Sequence, residues 1–427
     1  MIAAISKSKA LKGRIKVFSL RFVRDKFAEY YKQNSSSIPP PTSIEKREFG
    51  FLLLEEKIML RHKGFRGVDD LRSSLKTIVP SDVYFSSAYY ERPEEEMKGK
   101  GWLGADLIFD IDADHIPTPC GKVHDFWVCS NCGAVGRGMS PKECPTCREQ
   151  KFNEKTWPCE VCLESAKAEA IKLIDMLTKD FGFSSDELKV GFSGHRGYHV
   201  HVESEEVRAL DSMARKEIVD YVLGLGLESE FHGLGARGGK GSRVLPGPDL
   251  NDLGWRGRIA RGTYDLLLTA SPEELVKTGL TKRAVDIITQ HKESLLESWK
   301  EKGPWGIIKG ISPESWQKIA QYGIGKQSVE IDTVVTTDVH RLIRLTNTLH
   351  GKTGLKKIEV PITGIEHFDP LKSAVTFKEG TVTVLVSEAP QFRLGNETYG
   401  PFKEQKIELP IAAALMLICK GAAQVME

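Results

Sequence analysis

Seven of the chain's eight cysteines fall between Cys120 and Cys162, and no other stretch dictates so much of its own geometry. Cys129-x2-Cys132 and Cys144-x2-Cys147, with eleven residues between the pairs, have the two-knuckle spacing of a zinc ribbon. Cys120-x3-His124 and Cys159-x2-Cys162 flank them and supply a second set of four. Two nested tetrahedral sites therefore use every ligand of the pattern. Four protein ligands leave no open position for water, so both Zn2+ sites are expected to be structural. An exchanged ligand, for instance His115 for His124, and an iron–sulfur cluster are the alternatives. Such spacing suits metal binding in a reducing compartment better than disulfides. Cys419 stands apart in an apolar helix-like run and is expected to act as a small buried hydrophobe.

Just before the cysteines lies the strand-like run Ala105-Asp-Leu-Ile-Phe-Asp-Ile-Asp112. Alternate side chains of a strand share a face, so Asp110 and Asp112 project together while Leu107, Phe109 and Ile111 pack the other way. Two carboxylates aimed at one point suit a hard divalent cation such as Mg2+ or Mn2+. They equally suit a turn cap or a pair of surface acids. Asp114 continues the alternation but precedes His115-Ile-Pro117 and reads as a turn residue.

Two further segments can bear chemistry. In Phe192-Ser-Gly-His-Arg-Gly-Tyr-His199, Gly194 and Gly197 permit a tight turn with free backbone N–H groups, and Ser193, Arg196 and His199 add donors. This is a plausible triphosphate cradle, although it is neither a Walker loop nor a dinucleotide fingerprint. His199 and His201 share one strand face and read equally as solvent-facing histidines. The third segment runs from Glu330 to Gly354. Asp332 is expected in a β-branched strand covering 329–335, followed by a helix from about Val339, capped by Thr337 or Asp338, that carries Arg341 and Arg344. His350-Gly-Lys-Thr-Gly354 closes it.

Between these motifs the chain alternates strands and helices. Helix is expected over 18–32 and 163–179, strands over 47–65, a hairpin-like pair over 188–193 and 198–202, and at the tail a strand over 381–386 with a helix after Pro410. Residues 204–324 are mostly helical in pattern, with a capping box at Ser271-Pro-Glu-Glu274 and a Gly-rich, basic interruption from His232 to Pro248. The expected fold is α/β (α+β mixed). Its catalytic core would comprise 1–119, 163–203 and 325–427, with a metal-binding insertion at 120–162 and a helical inserted subdomain at 204–324. A formal net charge of +2 gives little general attraction for polyanions, which leaves local basic patches to bind them. The run Lys7, Lys9, Lys12, Arg14, Lys16, the Gly-rich segment and Arg256, Arg258 and Arg261 are candidates. Leu409 to Cys419 is too short an apolar stretch to span a bilayer, and the first residues lack a signal-peptide pattern, so a cytoplasmic location without membrane contact is expected.

Taken in order, Asp-x-Asp, Ser-Gly-His-Arg-Gly-Tyr-His, and an Asp followed by Arg and His 12 and 18 residues on resemble the catalytic small subunit of archaeal and eukaryotic DNA primase. Arg47-Glu-Phe-Gly-Phe51 is similar to a motif of the same family, with Glu48 near the site. The resemblance covers about 45–202 and 325–360 well. It implies that Asp110, Asp112 and Asp332 bind catalytic Mg2+ or Mn2+, and that Ser193, Arg196, His199, Arg344 and His350 hold the incoming nucleotide. His195 stands where eukaryotic relatives tend to carry arginine. The family's zinc knob matches the outer ligand set, Cys120, His124, Cys159 and Cys162, whereas the inner four cysteines resemble an insertion. The resemblance further implies joining of nucleoside triphosphates into primers on a single-stranded DNA template, and a heterodimer with a primase large subunit that carries an iron–sulfur domain. A primer-extending, gap-filling polymerase of the same superfamily and a non-catalytic zinc-ribbon nucleic-acid-binding protein are the alternatives.

Overall fold

The alternation around Asp110 resolves into a strand whose one face is sealed: Leu107, Phe109 and Ile111 are fully buried, while Asp110 and Asp112 on the other face are half-buried. The computed structural model describes residues 2–234, 247–300, 303–305 and 310–426, with side chains from 18 onward. The Gly-rich segment over 235–246 and the side chains of the amino-terminal lysines and Arg14 therefore lie outside the described residues.

The chain divides into two compact units, one comprising Met1–Ile171, Ser185–Arg215 and Ile331–Glu427, the other Lys172–Ser184 and Lys216–Glu330. In the first, β1 (Phe49–Leu52), β2 (Met59–Lys63), β3 (Asp82–Ser86) and β12 (Leu342–Arg344) form an antiparallel sheet in the order β12-β3-β1-β2. A second antiparallel sheet holds β6 (Leu107–Asp112), β10 (Leu188–Phe192), β11 (Gly197–Val202) and β13 (Ile358–Val360), in the order β13-β10-β11-β6. The pair β4 (Ala88–Tyr90) and β5 (Trp102–Ala105) leads into β6. Phe49, Phe51, Val83 and Phe85 of the first sheet share a core with Ile108 of β6 and with Phe27, Tyr30 and Tyr31 of the helix Ile2–Asn34. A cavity of about 390 Å³ lies between the two sheets, lined by Phe85 and Ile343 on one side and Ile108, His199 and His201 on the other.

The cysteine segment carries its own small sheet, β8-β7-β9, of β7 (Phe126–Cys129), β8 (Val135–Arg137) and β9 (Phe152–Lys155). At the tail, β14 (Thr381–Ala389) pairs with β17 (Phe402–Pro410) and β18 (Ala423–Val425), and a hairpin joins β15 (Phe392–Leu394) to β16 (Glu397–Tyr399). The helix Ile411–Cys419 carries Cys419, which packs against the first-sheet core. In the second unit the helices Gly254–Thr269, Lys282–Gln290 and Pro313–Gln327 contribute to one apolar cluster, and Ser271 and Glu274 form the expected capping box. Among the described residues no helix is long and apolar enough to cross a membrane.

Two local expectations are corrected. The β-branched residues at 333–337 form a short helix, because the Asp332 side chain caps it by accepting the Val334 N–H at 3.0 Å. Capping thus overrides the strand preference of Thr and Val. Conversely, Leu342–Arg344 is strand β12, not helix, since it completes the open edge of β3 with Ile343 opposite Phe85 and Arg344 opposite Tyr84. The template-binding candidates of the second unit are engaged internally. Arg258 is buried against Asp175 and Asp180, Arg256 pairs with Asp252, and Arg261 donates to the Leu250 carbonyl.

Candidate active site and metal centres

Register places the acids. In the β6–β11 ladder Asp110 stands directly opposite His199 and Asp112 opposite Gly197, so the half-buried carboxylates share a face with the histidine. His199 Nε2 lies 3.4 Å from Asp110 Oδ1, and its Nδ1 has no hydrogen-bond partner among the described residues. The third acid arrives from far along the chain: the Asp332 N–H donates to the Asp110 carbonyl at 2.8 Å, which brings the cap of the 333–337 helix beside β6. Burial, then the charges of Asp112 and Asp332, push the Asp110 carboxyl up to about 7. Like charges gathered with so little compensation suit a hard cation with oxygen ligands, and the three carboxylates fit Mg2+ or Mn2+ on that ground.

A second group gathers Arg344, His350, His195, Lys352 and Lys420. Arg344, buried, pairs with Asp82 and donates to Tyr84 Oη at 3.1 Å. Burial opposes ionisation of Asp82, but Arg344 and His350 outweigh it and hold the carboxyl well below its ordinary range. His350 accepts the Lys352 N–H at Nδ1, 3.1 Å away, and its ring centre is 5.2 Å from that of His195. Lys420 Nζ sits 2.5 Å from His195 Nε2. Burial, then Lys352 and Arg196, lower Lys420 to about 7, and burial with Arg344 lowers Lys357 to about 7. Burial also holds His195, His199 and His350 well below the usual histidine value. Arg344, His350 and Lys352 line one end of a cavity of about 1050 Å³ together with Asp82 and Tyr84. The lining is mixed in charge, with Glu55, Asp82 and Glu404 beside Lys57, Arg344 and Lys352, and the end formed by Arg344, His350 and Lys352 offers donors chemically suited to a phosphate.

The turn between β10 and β11 departs from a free cradle. Ser193 Oγ accepts N–H groups from His195 at 3.3 Å and Gly197 at 3.2 Å, which fixes the turn. Gly194 has φ +89° and lies so close to His350 that an added Cβ would meet that side chain at 3.0 Å. Arg196 is 1% exposed and its guanidinium is held by acids: Nη1 reaches Asp125 at 2.7 Å and Asp114 at 3.0 Å. The structure therefore brings Asp110, Asp112, Asp332 and His199 together, and Arg344 with His350, but does not bring the Arg196 guanidinium to either group. Burial, Asp112 and Asp125 raise Asp114 to about 6 despite Arg196 beside it.

Glu48 is buried beneath the first sheet, where it accepts from Arg61 at 3.0 Å and from the His62 N–H, with Lys100 Nζ 3.3 Å away. His201 faces Asp106, which also binds Arg47 at 2.5 Å and Tyr89 at 2.8 Å. Asp106, His201 and Glu203 lie close enough to share an ion, but Arg47 already occupies Asp106 with a full positive charge, which makes this a buried ion-pair network.

The cysteine pattern closes into two groups: Cys120, His124, Cys159 and Cys162, and Cys129, Cys132, Cys144 and Cys147, each with ligand atoms within 4.8 Å of one another. Sulfur with one imidazole, and sulfur alone, are donor sets that fit Zn2+. His115 is in neither group. Lys357, Lys420 and Asp125 went unread in the sequence, and Lys352 was read only as part of the 350–354 run. Lys420 follows an apolar helix with no motif to mark it, and only the packing of that helix delivers it to His195.

A family model described as DNA primase small subunit matches residues 144–363. The chain is 35% identical to the DNA primase small subunit PriS of Methanothrix thermoacetophila across 95% of this chain and 98% of that one. It is 36% identical to the DNA primase small subunit PriS of Archaeoglobus fulgidus, across 94% and 97%, and 34% identical to that of Cenarchaeum symbiosum, across 95% and 98%.

Proposed function

Because the chain belongs to the DNA primase small subunit family, we propose that Asp110, Asp112 and Asp332 hold the divalent cations of a template-directed nucleotidyl transfer that builds short primers on single-stranded DNA. The observation that carries this reading is the junction of the Asp332 N–H with the Asp110 carbonyl, which gathers three acids closely enough that Asp112 and Asp332 raise the Asp110 carboxyl. When bound, Mg2+ or Mn2+ supplies the Lewis acidity that activates a 3′-hydroxyl and neutralises the leaving pyrophosphate. The protein's own task is placement. Arg344 and His350 donate to the nucleotide's phosphates from a wall that Asp82 holds in position, and Lys352 and Lys420 add charge on the same side. His199, kept neutral by burial, can orient Asp110 or donate to a phosphate oxygen without adding a full charge beside the acids. Ser193 acts through the turn it fixes.

The two cysteine-rich groups hold Zn2+ in a structural role, and the protein works with nucleoside triphosphates and a large-subunit partner, as family membership supports. The decisive experiment incubates unprimed single-stranded DNA with ribonucleotides or deoxyribonucleotides and Mg2+ or Mn2+. Products from an unprimed template support the proposal. Extension restricted to primed template points to a gap-filling polymerase, and DNA binding indifferent to either cation with no incorporation overturns catalysis altogether.

A further inference from the structure

One arginine, Arg196, joins the outer metal site to the residues that directly follow Asp112. Asp125 Oδ1 accepts from His124 Nδ1 at 2.6 Å and from the Trp157 N–H at 3.0 Å, which leaves His124 Nε2 directed toward Cys162 Sγ, 3.5 Å away. Cys120 Sγ stands 3.3 Å from Cys162 Sγ and 3.5 Å from Cys159 Sγ, so the four donors converge on the side that Asp125 does not occupy. A carboxylate on the remote nitrogen of a ligating histidine fixes its tautomer and ring orientation.

The other oxygen of Asp125 accepts from Arg196 Nη1 at 2.7 Å, and Arg196 Nη2 is 3.5 Å from Cys162 Sγ. The same Nη1 lies 3.0 Å from Asp114 Oδ1. On its backbone side Arg196 accepts the Ala113 N–H at 3.2 Å, and the next residue, Gly197, faces Asp112 across the ladder. One side chain thus spans from the outer ligand set to the residues that follow Asp112. The inner cysteines differ: Cys129 ends β7, the other three lie in the loops that join β7, β8 and β9, and their sulfur contacts are among themselves, Cys129 to Cys147 at 3.5 Å and Cys132 to Cys144 at 3.7 Å.

We propose that Asp125 and Arg196 are positioning residues that tie the outer metal site to the catalytic carboxylates, so that an occupied outer site is needed for tight cation binding at Asp110, Asp112 and Asp332. This rests on the reading of those acids as cation ligands, and Asp110→Asn serves as its control. Catalytic-site Mn2+ is measured by electron paramagnetic resonance on the full chain without nucleotide, alongside zinc content and the rate of zinc release to a chelator. If parent and Asp110→Asn bind Mn2+ alike, the reading of the acids fails, whereas the zinc-release data still report on Asp125.

Asp125→Asn is expected to release one of the two zinc ions about tenfold faster and to weaken Mn2+ binding about tenfold. Arg196→Ala is expected to weaken Mn2+ binding in the absence of nucleotide, with partial recovery in Arg196→Lys. The inner-site variant Cys132→Ser should lose one zinc and keep its Mn2+ affinity within about twofold. Faster zinc release with unchanged Mn2+ binding in Asp125→Asn overturns the proposal. So does an Arg196→Ala enzyme that raises the nucleotide KM while binding Mn2+ normally, since that is the signature of a phosphate contact. Should Asp125→Asn fail to fold, stripping the remaining zinc from Cys132→Ser protein decides the matter. Mn2+ affinity must fall as that ion leaves, and constancy refutes the tie.

Discussion

Asp110 carries the clearest consequence at the scale of single residues. Its carboxyl, pushed up to about 7 by burial, Asp112 and Asp332, holds a proton that an arriving cation must displace. Mn2+ affinity is therefore expected to climb up to about tenfold per pH unit below 7 and to level off above it, and a titration series from acid to mildly alkaline pH checks this. Without metal the sign for stability is the reverse. An unfolded Asp ionises near 3.9, so the penalty for keeping this group is absent below that value and complete above about 7. Asp110→Asn should raise the melting temperature of metal-free protein at pH 8, leave it nearly unchanged at pH 4, and reduce primer synthesis by on the order of a thousandfold or more. A variant with full activity contradicts the assignment. Asp110 and Asp112 were legible because strand alternation alone puts them on one face. Asp125 was not, because nothing near it in sequence reveals that its two oxygens face His124 and an arginine from the β10–β11 turn.

At the scale of elements, the hairpin β10–β11 was legible from its alternation and glycine turn, and the metal groups from spacing. The segment after Ile331 was misread for a physical reason. Thr333-Val-Val-Thr-Thr337 has strand composition, but a cap at Asp332 and a backbone bond to Asp110 outweigh propensities worth only about 1 kcal/mol in total spread. Likewise Leu342–Arg344 became a strand because β3 offered an unpaired edge, which no local pattern announces. The close approach of β6 and β11 yields a direct test. A Cβ added at Gly197 would lie 2.3 Å from the Ile111 carbonyl oxygen, so Gly197→Ala must force the two strands apart beside Asp112. The expected cost is about 1–3 kcal/mol of stability with at least a tenfold fall in activity, read by thermal melting and primer synthesis. An unaltered enzyme would show that this register does not matter to the site.

For the molecule as a whole, the sequence conveyed a mixed α/β architecture and two nested metal groups, while the assembly of the two main sheets was invisible to it, since β12 pairs with β3 and β11 with β6 across long stretches of chain. Purified protein is expected to contain two zinc ions per chain and to lose ordered structure around 120–162 when a strong chelator removes them, because structural zinc supplies folding free energy directly. Visible absorbance from bound iron and sulfur would contradict that composition. The bond from Asp332 to the Asp110 carbonyl also bears on biosynthesis. Asp110 and Asp112 leave the ribosome more than two hundred residues before Asp332 does, an interval of at least about ten seconds at roughly 5–20 residues per second. Throughout that interval the nascent chain has the first two acids without the third, so a truncated translation product lacking the later segment cannot complete the cation site.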